Sequence, residues 1–264
     1  MRVERLSVQN LREGVLCAKG KSYNEEYYQQ LEAWLGGDQL KGHIARADNG
    51  DPAGFILYYP IEYAPLDVEG DGIYMVQCLY VKPEYQDTGI GTTLIKSAMT
   101  DAEGAGAKGL AVEGYDSDHA GGPGHATRDI YEEVGMSAVG SRGTGTLYFT
   151  ALRKDAQPPR YLEPKFNPQP SQTRIRVDIL DCRNCYERVS NRNVVQWVLE
   201  KAALPNVEVV VHDQSTREAI LDKGMSSGVF VDGRLTFFRG PVTEDDVWSA
   251  IEVAMSAREL STDH

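Results

Sequence analysis

A proline-rich stretch divides this chain. Residues 155–172, DAQPPRYLEPKFNPQPSQ, hold five of the 12 prolines and show no apolar periodicity. Proline lacks an amide donor and fixes φ, so such a segment runs extended over a surface. A chain of 264 residues is long enough for two modest domains. We therefore predict a first domain over 1–154, a linker over 155–172 and a second domain over 173–264.

Charge and hydropathy exclude several classes of partner. The formal net charge is −12, whereas nucleic acids and anionic membranes are bound by basic surfaces. No apolar run approaches the ~18 residues of a membrane span, and the N-terminal MRVERLSVQNLREG lacks the apolar stretch of a secretory signal. These features predict a cytoplasmic protein with no nucleic-acid or membrane partner, and they leave a homodimer open.

The first domain has the sequence pattern of an α/β (α+β) fold. Aromatic and β-branched residues bounded by Gly, Pro and Asp predict strands, and apolar residues at helical spacing predict helices. The predicted strands are 52–63, 72–83, 107–115 and 145–153, and the predicted helices follow Gly89 and span 128–135. This alternation predicts a mixed sheet with helices packed on it.

A glycine-containing loop, Gln86-Asp87-Thr88-Gly89-Ile90-Gly91, connects the strand ending at Pro83 to a helix that starts at about Gly91. The first N–H groups of a helix lack intrahelical partners and lie at the positive end of its dipole, so they bind anions without basic side chains. Two glycines are also typical of an ordinary turn between a strand and a helix. The loop therefore predicts either a phosphate site or a plain turn.

The loop follows the Q/R-x-x-G-x-G/A pattern and resembles the GNAT superfamily of acetyl-CoA-dependent N-acetyltransferases. QCLYVKPEYQDTGIGTTLIKSAM resembles that family's fourth strand, pyrophosphate loop and third helix, and IYEEVGM (130–136) resembles its "LYEKLGF" segment. The resemblance implies a GNAT fold with acetyl-CoA as cofactor. It assigns the pyrophosphate to Gln86, Asp87, Thr88, Gly89, Ile90, Gly91 and Thr92, and the pantetheine to the strand edge at Cys78, Leu79, Tyr80 and Val81.

Asp87 departs from the family pattern, because many relatives carry glycine or a basic residue at such a position. A carboxylate beside a pyrophosphate weakens binding through charge repulsion. Where main-chain N–H groups hold the phosphates, that carboxylate can point into solvent and its effect is screened by salt. The sequence predicts weakened but retained coenzyme binding.

Acetyl transfer requires a base for the amine, a donor to the carbonyl oxygen and a donor to the departing sulfur. By resemblance, Tyr131 is the acid and a backbone N–H near Leu79 polarises the carbonyl, although Tyr131 also fits a core aromatic. Glu113 and Asp116 are the preferred candidates for the base, and Asp118 and His119 lie in the same loop. A metal site at His119 and His125 is not favoured because the glycines between them fix no geometry. Tyr27, Tyr28 and Trp34 fit a core helix better than an acceptor pocket.

The second domain has the predicted order β-α-β-α-β-β-α and resembles the thioredoxin and glutaredoxin fold, with CRNC at the position of that family's C-x-x-C. Cys182 at a helix N-terminus would have a stabilised thiolate, which Arg183 favours and Asp181 opposes. Ser227 replaces the cis-proline usual in that family. Cys182 and Cys185 can form a redox-active pair, recognise a thiol or metal, or be structural.

Taken together, these features predict an N-acetyltransferase that moves an acetyl group from acetyl-CoA to a small amine in a ternary complex. The thioredoxin-like domain would serve thiol redox chemistry or substrate recognition. In the alternative interpretation, the chain is a thiol-disulfide or thiol-metal protein with a non-catalytic GNAT module. A scaffold protein, which would bind no coenzyme and have no redox-sensitive thiols, is the third hypothesis.

Overall fold

The computed structural model describes residues 1–115, 127–202, 206–238 and 241–262. The chain forms two compact units, Met1–Asn24 with Tyr28–Leu162, and Glu25–Tyr27 with Glu163–His264. In the described ranges, no helix has the length and apolar character needed to cross a lipid bilayer.

The strands of the first unit are β1 (Arg2–Arg5), β2 (Lys41–Arg46), β3 (Pro52–Pro60), β4 (Val68–Glu69), β5 (Ile73–Val81), β6 (Gly109–Tyr115), β7 (Ser137–Arg142), β8 (Gly145–Ala151) and β9 (Arg160–Tyr161). Seven of them form a mixed sheet with the order β1-β2-β3-β5-β6-β8-β7, and β4 pairs with β9 in the same unit. Its helices are α1 (Leu11–Gly14), α2 (Asn24–Gly36), α3 (Ile90–Gly104) and α4 (Asp129–Glu133), with a short 3-10 turn at Pro83–Tyr85. In the seven-stranded sheet β5 and β6 pair in parallel, whereas the other neighbours are antiparallel. The predicted mixed α/β architecture is confirmed.

Helices cover both faces of this sheet, which explains why β3 is buried along almost its whole length. On one face, α3 packs its apolar stripe against the strands through Leu94, Ile95, Ala98 and Ala102. On the other face, the ring of Trp34 on α2 meets Tyr59 edge-on at a centroid distance of 5.8 Å. Tyr27, Tyr28 and Trp34 are buried, as expected for a core helix.

Residues 155–172, predicted as a linker, make backbone hydrogen bonds in both the first and the second half of this segment. Strand β9 pairs with β4 through Val68 and Tyr161, and the Leu162 amide donates to the Asp67 carbonyl at 2.9 Å. Farther along, the Lys165 amide donates to the Lys223 carbonyl at 2.8 Å. The proline-rich segment therefore contributes to ordered structure on each side of the division at Leu162 and Glu163.

The second unit contains a four-stranded sheet with the order β11-β10-β12-β13. Its elements are β10 (Ile175–Asp181), α5 (Tyr186–Ala202), β11 (Val207–Asp213), α6 (Arg217–Lys223), β12 (Gly228–Val231), β13 (Arg234–Phe237) and α7 (Glu244–Thr262). Strands β10 and β11 are parallel, and the other two pairs are antiparallel. The predicted hairpin turns at Asp232 and Gly233, both with positive φ. Thr243 caps α7 by accepting from the Asp246 amide.

A buried carboxylate, Asp178, stands in the middle of β10. Arg176 donates to both of its oxygens at 2.9 Å, and His212 Nε2 lies 2.7 Å from Oδ1. Burial by itself would raise the pKa of Asp178, but the hydrogen bonds from Arg176 and His212 outweigh it and hold that pKa below its usual range. The carboxylate is therefore ionised within the sheet of the second unit.

Candidate functional site

Strands β5 and β6 separate halfway along β5. They pair in parallel from Ile73 and Gly109 to Val76 and Val112, and no pairing with β6 follows in the described residues. On its other side, β5 pairs Cys78 with Leu57 and Val76 with Tyr58, so Gln77 is the extra residue of a β-bulge. A bulge bends its strand and increases the local twist. The pairing of β5 with β6 thus ends at this bend, and residues 78–81 form no ladder with β6.

These four residues are the predicted pantetheine contacts. Leu79 is buried, whereas Cys78, Tyr80 and Val81 are half-buried. A strand edge without a neighbouring strand can pair with an extended ligand through amide donors and carbonyl acceptors, as in β-strand addition. The edge therefore fits a ligand that carries amide groups.

The loop after β5 presents a row of backbone donors. In the described part of the chain, the N–H groups of residues 87–92 have no hydrogen-bond partner. Helix α3 begins at Ile90, one residue before the predicted start, and its first N–H groups face the loop. Unpaired N–H groups at a helix N-terminus form an anion site.

The backbone of the loop is shaped for this purpose. Asp87 and Gly89 have positive φ values of 58° and 78°, and Thr88 between them does not. Such alternation turns successive N–H groups toward one concave side, which is the geometry of an anion-binding nest. Thr88 Oγ1 donates to the Tyr85 carbonyl at 2.6 Å and Thr93 Oγ1 to the Gly89 carbonyl at 2.9 Å, and these bonds brace the turn.

The two glycines of the motif have different roles. A Cβ on Gly89 would meet nothing within 4 Å, so this position needs glycine for its positive φ. A Cβ on Gly91 would lie 2.5 Å from Ile130 Cδ1. Gly91 therefore allows α3 and α4 to pack closely.

Asp87 is exposed, as are Gln86 and Thr88. Its positive φ belongs to the region that Asp and Asn tolerate better than other non-glycine residues. The acidic side chain therefore fits the bend of the loop, and glycine would fit it equally well.

Tyr131 is held at the junction of α4 and β6. It is buried, its ring lies 5.9 Å from that of Tyr148, and a Cβ on Gly114 would lie 3.1 Å from its Cδ2. Burial raises the pKa of the Tyr131 hydroxyl, and the nearby Cys78 raises it further. The phenol is therefore protonated at neutral pH and lies near Cys78 on β5.

Glu113 lies on β6 directly after the last residue that pairs with β5. Tyr161 donates to its Oε1 at 2.8 Å, and Tyr115 donates to its Oε2. A carboxylate that accepts two hydroxyl hydrogen bonds is fixed in orientation. Glu113 is thus a positioned acceptor next to the divergence of the two strands.

Tyr161 is itself held by charged neighbours. The Arg142 guanidinium lies 4.5 Å from the centroid of the Tyr161 ring and donates to the buried Asp67 carboxylate at 2.8 Å. The sequence pattern indicated neither Tyr115 nor Tyr161 as a site residue. Tyr115 was visible as the residue two positions after Glu113 on the same strand face, whereas Tyr161 had no signal because it falls in the proline-rich segment.

Other predicted residues lie outside the described ranges. Asp116, the alternative base, belongs to this group, together with Asp118, His119 and His125. The structure therefore describes one of the two preferred candidates for the base, Glu113.

The two cysteines of the second unit occupy different environments. Cys182 is fully buried after the end of β10, with its sulfur 3.1 Å from Asn184 Oδ1. Cys185 is half-buried, and its carbonyl accepts from the amides of Arg188 and Val189 at the start of α5. The prediction of Cys182 at the helix N-terminus was wrong: Arg183 adopts a positive φ of 50°, and the helix begins only after Cys185. All four cysteines of the chain are described, and none forms a disulfide.

Comparisons with known proteins found one family match and similar solved structures. Residues 8–135 match the model of the acetyltransferase (GNAT) family, and no curated protein matches the sequence. Two similar solved structures are the PaiA N-acetyltransferase from Thermoplasma acidophilum with coenzyme A and a GNAT family acetyltransferase from Brucella melitensis with acetyl-CoA. The first is 19% identical and covers 57% of this chain and 99% of its own, with a TM-score of 0.41. The second is 20% identical and covers 60% of this chain and 91% of its own, with a TM-score of 0.40.

The match covers β5, the N–H row of the loop, α3, Glu113 and Tyr131. Residues 8–135 thus match the acetyltransferase (GNAT) family, whose members are acyltransferases that use acetyl-CoA.

Proposed function

We propose that the first unit transfers an acetyl group from acetyl-CoA to the amine of a small molecule by direct attack in a ternary complex. The observation that carries this proposal is the row of six consecutive N–H groups at residues 87–92 that make no hydrogen bond within the described residues. This row follows the part of β5 that no longer pairs with β6. An amide-bearing chain that ends in a pyrophosphate matches both features.

Each reacting group has a candidate partner in the chain. When bound, acetyl-CoA supplies a thioester whose carbonyl carbon accepts the amine. Glu113 would take the proton that the amine releases, and its two tyrosine hydrogen bonds keep the carboxylate in one orientation. A backbone N–H near Leu79 would donate to the carbonyl oxygen, where negative charge develops.

Tyr131 would donate a hydrogen bond to the departing sulfur. Because burial raises the pKa of its phenol well above the ~8.5 of an ordinary thiol, complete proton transfer to a thiolate is unfavourable. Tyr131 would therefore stabilise the leaving group as a hydrogen-bond donor, and the proton released by the amine would reach the sulfur through solvent or Glu113.

Calorimetric titration with acetyl-CoA tests the coenzyme site. The variant Gly89→Glu places a charged side chain over the N–H row, and the matched control Gly89→Ala carries the same positive-φ strain without the carboxylate. We expect binding by the wild type, binding within about threefold of it for Gly89→Ala, and none for Gly89→Glu. Absence of binding by the wild type would contradict the proposal and favour a non-catalytic module.

The acceptor class is tested by incubating the protein with acetyl-CoA and a panel of small amines. Mass spectrometry of the acetylated product avoids thiol reagents, which would also react with the cysteines of the chain. We expect at least one amine to be acetylated in a reaction that Glu113→Gln abolishes. Product formation unchanged by Glu113→Gln would reject Glu113 as the base.

We also propose that the second unit is a thioredoxin-like domain whose Cys182 and Cys185 serve thiol redox chemistry or substrate recognition. Support comes from the β-α-β-α-β-β-α order, the strand order β11-β10-β12-β13 and the location of both cysteines between β10 and α5. Mass spectrometry after equilibration with glutathione redox buffers would detect a Cys182–Cys185 disulfide. Two free thiols at every ratio would reject the redox role.

A further inference from the structure

Strand β11 (Val207–Asp213) lies at one edge of the four-stranded sheet. In the part of the chain that the structure describes, it pairs with β10 on one side and with no strand on the other. Its pairing with β10 runs without interruption over all seven residues. A regular strand with a free edge can pair with a further strand through its outward backbone groups.

The hydrogen bonds at the two ends of β11 show which of its residues point outward. The Ile175 amide donates to the Asn206 carbonyl, and the Gln214 amide donates to the Asp181 carbonyl, so residues 206 and 214 face β10. The backbone groups of successive residues alternate between the two edges of a strand. The N–H and C=O groups on the outer edge therefore belong to residues 207, 209, 211 and 213.

This edge is apolar and lacks the features that commonly protect an edge strand. Val209 and Val211 are 36% and 40% exposed, and the sequence VEVVVHD contains neither lysine nor proline. Native edge strands are blunted by lysine, proline, bulges or short length. The opposite edge of the same sheet, β13, has four residues, carries Arg234 and shifts register against β12. Strand β11 therefore has the sequence and regularity of an interior strand.

The sequence of β11 is complementary to itself in the antiparallel direction. If Val210 lies opposite the partner's Val210 in a second copy, Val209 lies opposite the partner's Val211, and Glu208 opposite the partner's His212. Val209 and Val211 both have outward backbone groups, so they would form a hydrogen-bonded pair, as an antiparallel ladder requires. Cross-strand pairs of β-branched residues and of opposite charges stabilise a sheet, whereas facing like charges destabilise it.

Glu208 and His212 can meet across this edge. His212 Nε2 lies 2.7 Å from Asp178 Oδ1, which leaves Nδ1 for a second hydrogen bond. Glu208 makes no hydrogen bond within the described ranges, although its charge lies near Arg176. A shift of the register by two residues in either direction would put Glu208 opposite a valine or a glutamine. The charges therefore favour the register centred on Val210.

We propose that β11 pairs antiparallel with β11 of a second copy of this chain and joins the two four-stranded sheets into one continuous sheet. The two-fold axis passes between the two Val210 residues. The exposed side chains of Val209 and Val211 then cover each other's counterparts. Each copy uses its free β11 edge in the same contact, so the interface is isologous and the assembly closes at two chains.

Sedimentation equilibrium of the full chain in reducing buffer, between about 1 and 100 μM, tests this interface. We expect a reversible monomer–dimer equilibrium, which Val211→Lys should weaken at least about tenfold because it places two ammonium groups between the strands. The matched control is Leu235→Lys, which changes a 46% exposed residue on β13 and should leave the dissociation constant unchanged. A wild type that remains monomeric, a species larger than a dimer, or equal dimerisation of Val211→Lys would overturn the proposal.

Cysteine crosslinking tests the register independently of the lysine variants. Val210→Cys would place two thiols across a non-hydrogen-bonded pair, whose Cα atoms lie about 4.5 Å apart, within the range that a disulfide spans. In Val209→Cys, the matched control, the new thiol would lie opposite a valine. The wild type controls for the four native cysteines, all of which are free thiols. After mild oxidation, we expect a covalent dimer of Val210→Cys on a non-reducing gel and little of the other two. Equal or stronger crosslinking of Val209→Cys would overturn the register.

Discussion

The charge of Asp87 offers the sharpest test of the proposed coenzyme loop. The change is Asp87→Asn, which removes the charge while keeping a residue type that tolerates the φ of 58° at this position. The side chain is exposed and stands among the N–H groups proposed to hold the pyrophosphate. The variant should therefore bind acetyl-CoA more tightly than the wild type.

The size of the effect follows from distance and screening. An anion held by adjacent N–H groups lies about 6 Å from the carboxylate, and two phosphate charges at that distance repel it by about 1.4 kcal/mol in water. A screening length of about 8 Å at 0.15 M salt reduces this to about 0.7 kcal/mol, and one of about 30 Å at 0.01 M leaves about 1.1 kcal/mol. We expect roughly threefold tighter binding at the higher salt and roughly sixfold at the lower.

Isothermal titration of acetyl-CoA at both salt concentrations measures the effect. The matched control is Glu103→Gln, which neutralises an exposed carboxylate near the other end of α3 and should change affinity at neither salt concentration. Equal affinities of Asp87→Asn and wild type at low salt would refute the placement of the pyrophosphate at this loop. A gain that does not shrink with salt would refute its electrostatic origin.

Four further predictions concern single residues. Tyr131→Phe should lower kcat on the order of 10²-fold with little change in the KM for acetyl-CoA, and an unchanged kcat would reject its role at the sulfur. Tyr161→Phe should lower kcat about tenfold at constant KM for acetyl-CoA. The double variant Tyr161→Phe/Glu113→Gln should have the same kcat as Glu113→Gln alone. If the two losses in kcat add, Tyr161 acts independently of Glu113. Because the pKa of Asp178 is lowered in the folded state, its contribution to stability is present above the unfolded pKa of ~4 and is lost as pH falls through the folded pKa. Urea unfolding monitored by Trp197 and Trp248 fluorescence should show this loss as a lower free energy of unfolding at acidic pH. In Asp178→Asn the free energy of unfolding should depend less on pH over the same range. Iodoacetamide should modify Cys185 in the native protein and Cys182 only after unfolding, as read by mass spectrometry, whereas faster modification of Cys182 would contradict its burial.

The sequence predicted elements wherever apolar pattern and boundary residues agreed. Strand β5 ends before Pro83 and α3 follows glycine, so both were placed to within one or two residues. Strand β7, SAVGSR, is exposed along nearly its whole length and has no apolar face, so no periodicity marked it. A strand is predicted from the alternation of its buried apolar residues, and an exposed edge strand lacks that alternation.

The residues of the candidate site likewise differ in whether a local sequence pattern marks them. Residues 86–92 were predicted from a local motif that determines their backbone, and Glu113 from its place on an apolar strand. Tyr161 reaches Glu113 through a two-residue pairing of β9 with β4, a contact between distant parts of the chain that leaves no local pattern. The start of α5 was misplaced because the positive φ of Arg183 interrupts the path from Cys182 to the helix.

The hydrogen bond from Tyr161 to Glu113 bears on how this domain can be exchanged between proteins. The family match ends at residue 135, whereas the hydroxyl that orients the proposed base comes from residue 161. A gene fusion or deletion that ended the domain at residue 135 would keep the coenzyme loop and Tyr131. It would remove the hydroxyl of Tyr161 as a hydrogen-bond donor to Glu113. In this chain the contacts of the proposed base therefore extend beyond the region that matches the family, into a segment whose composition suggests only a spacer.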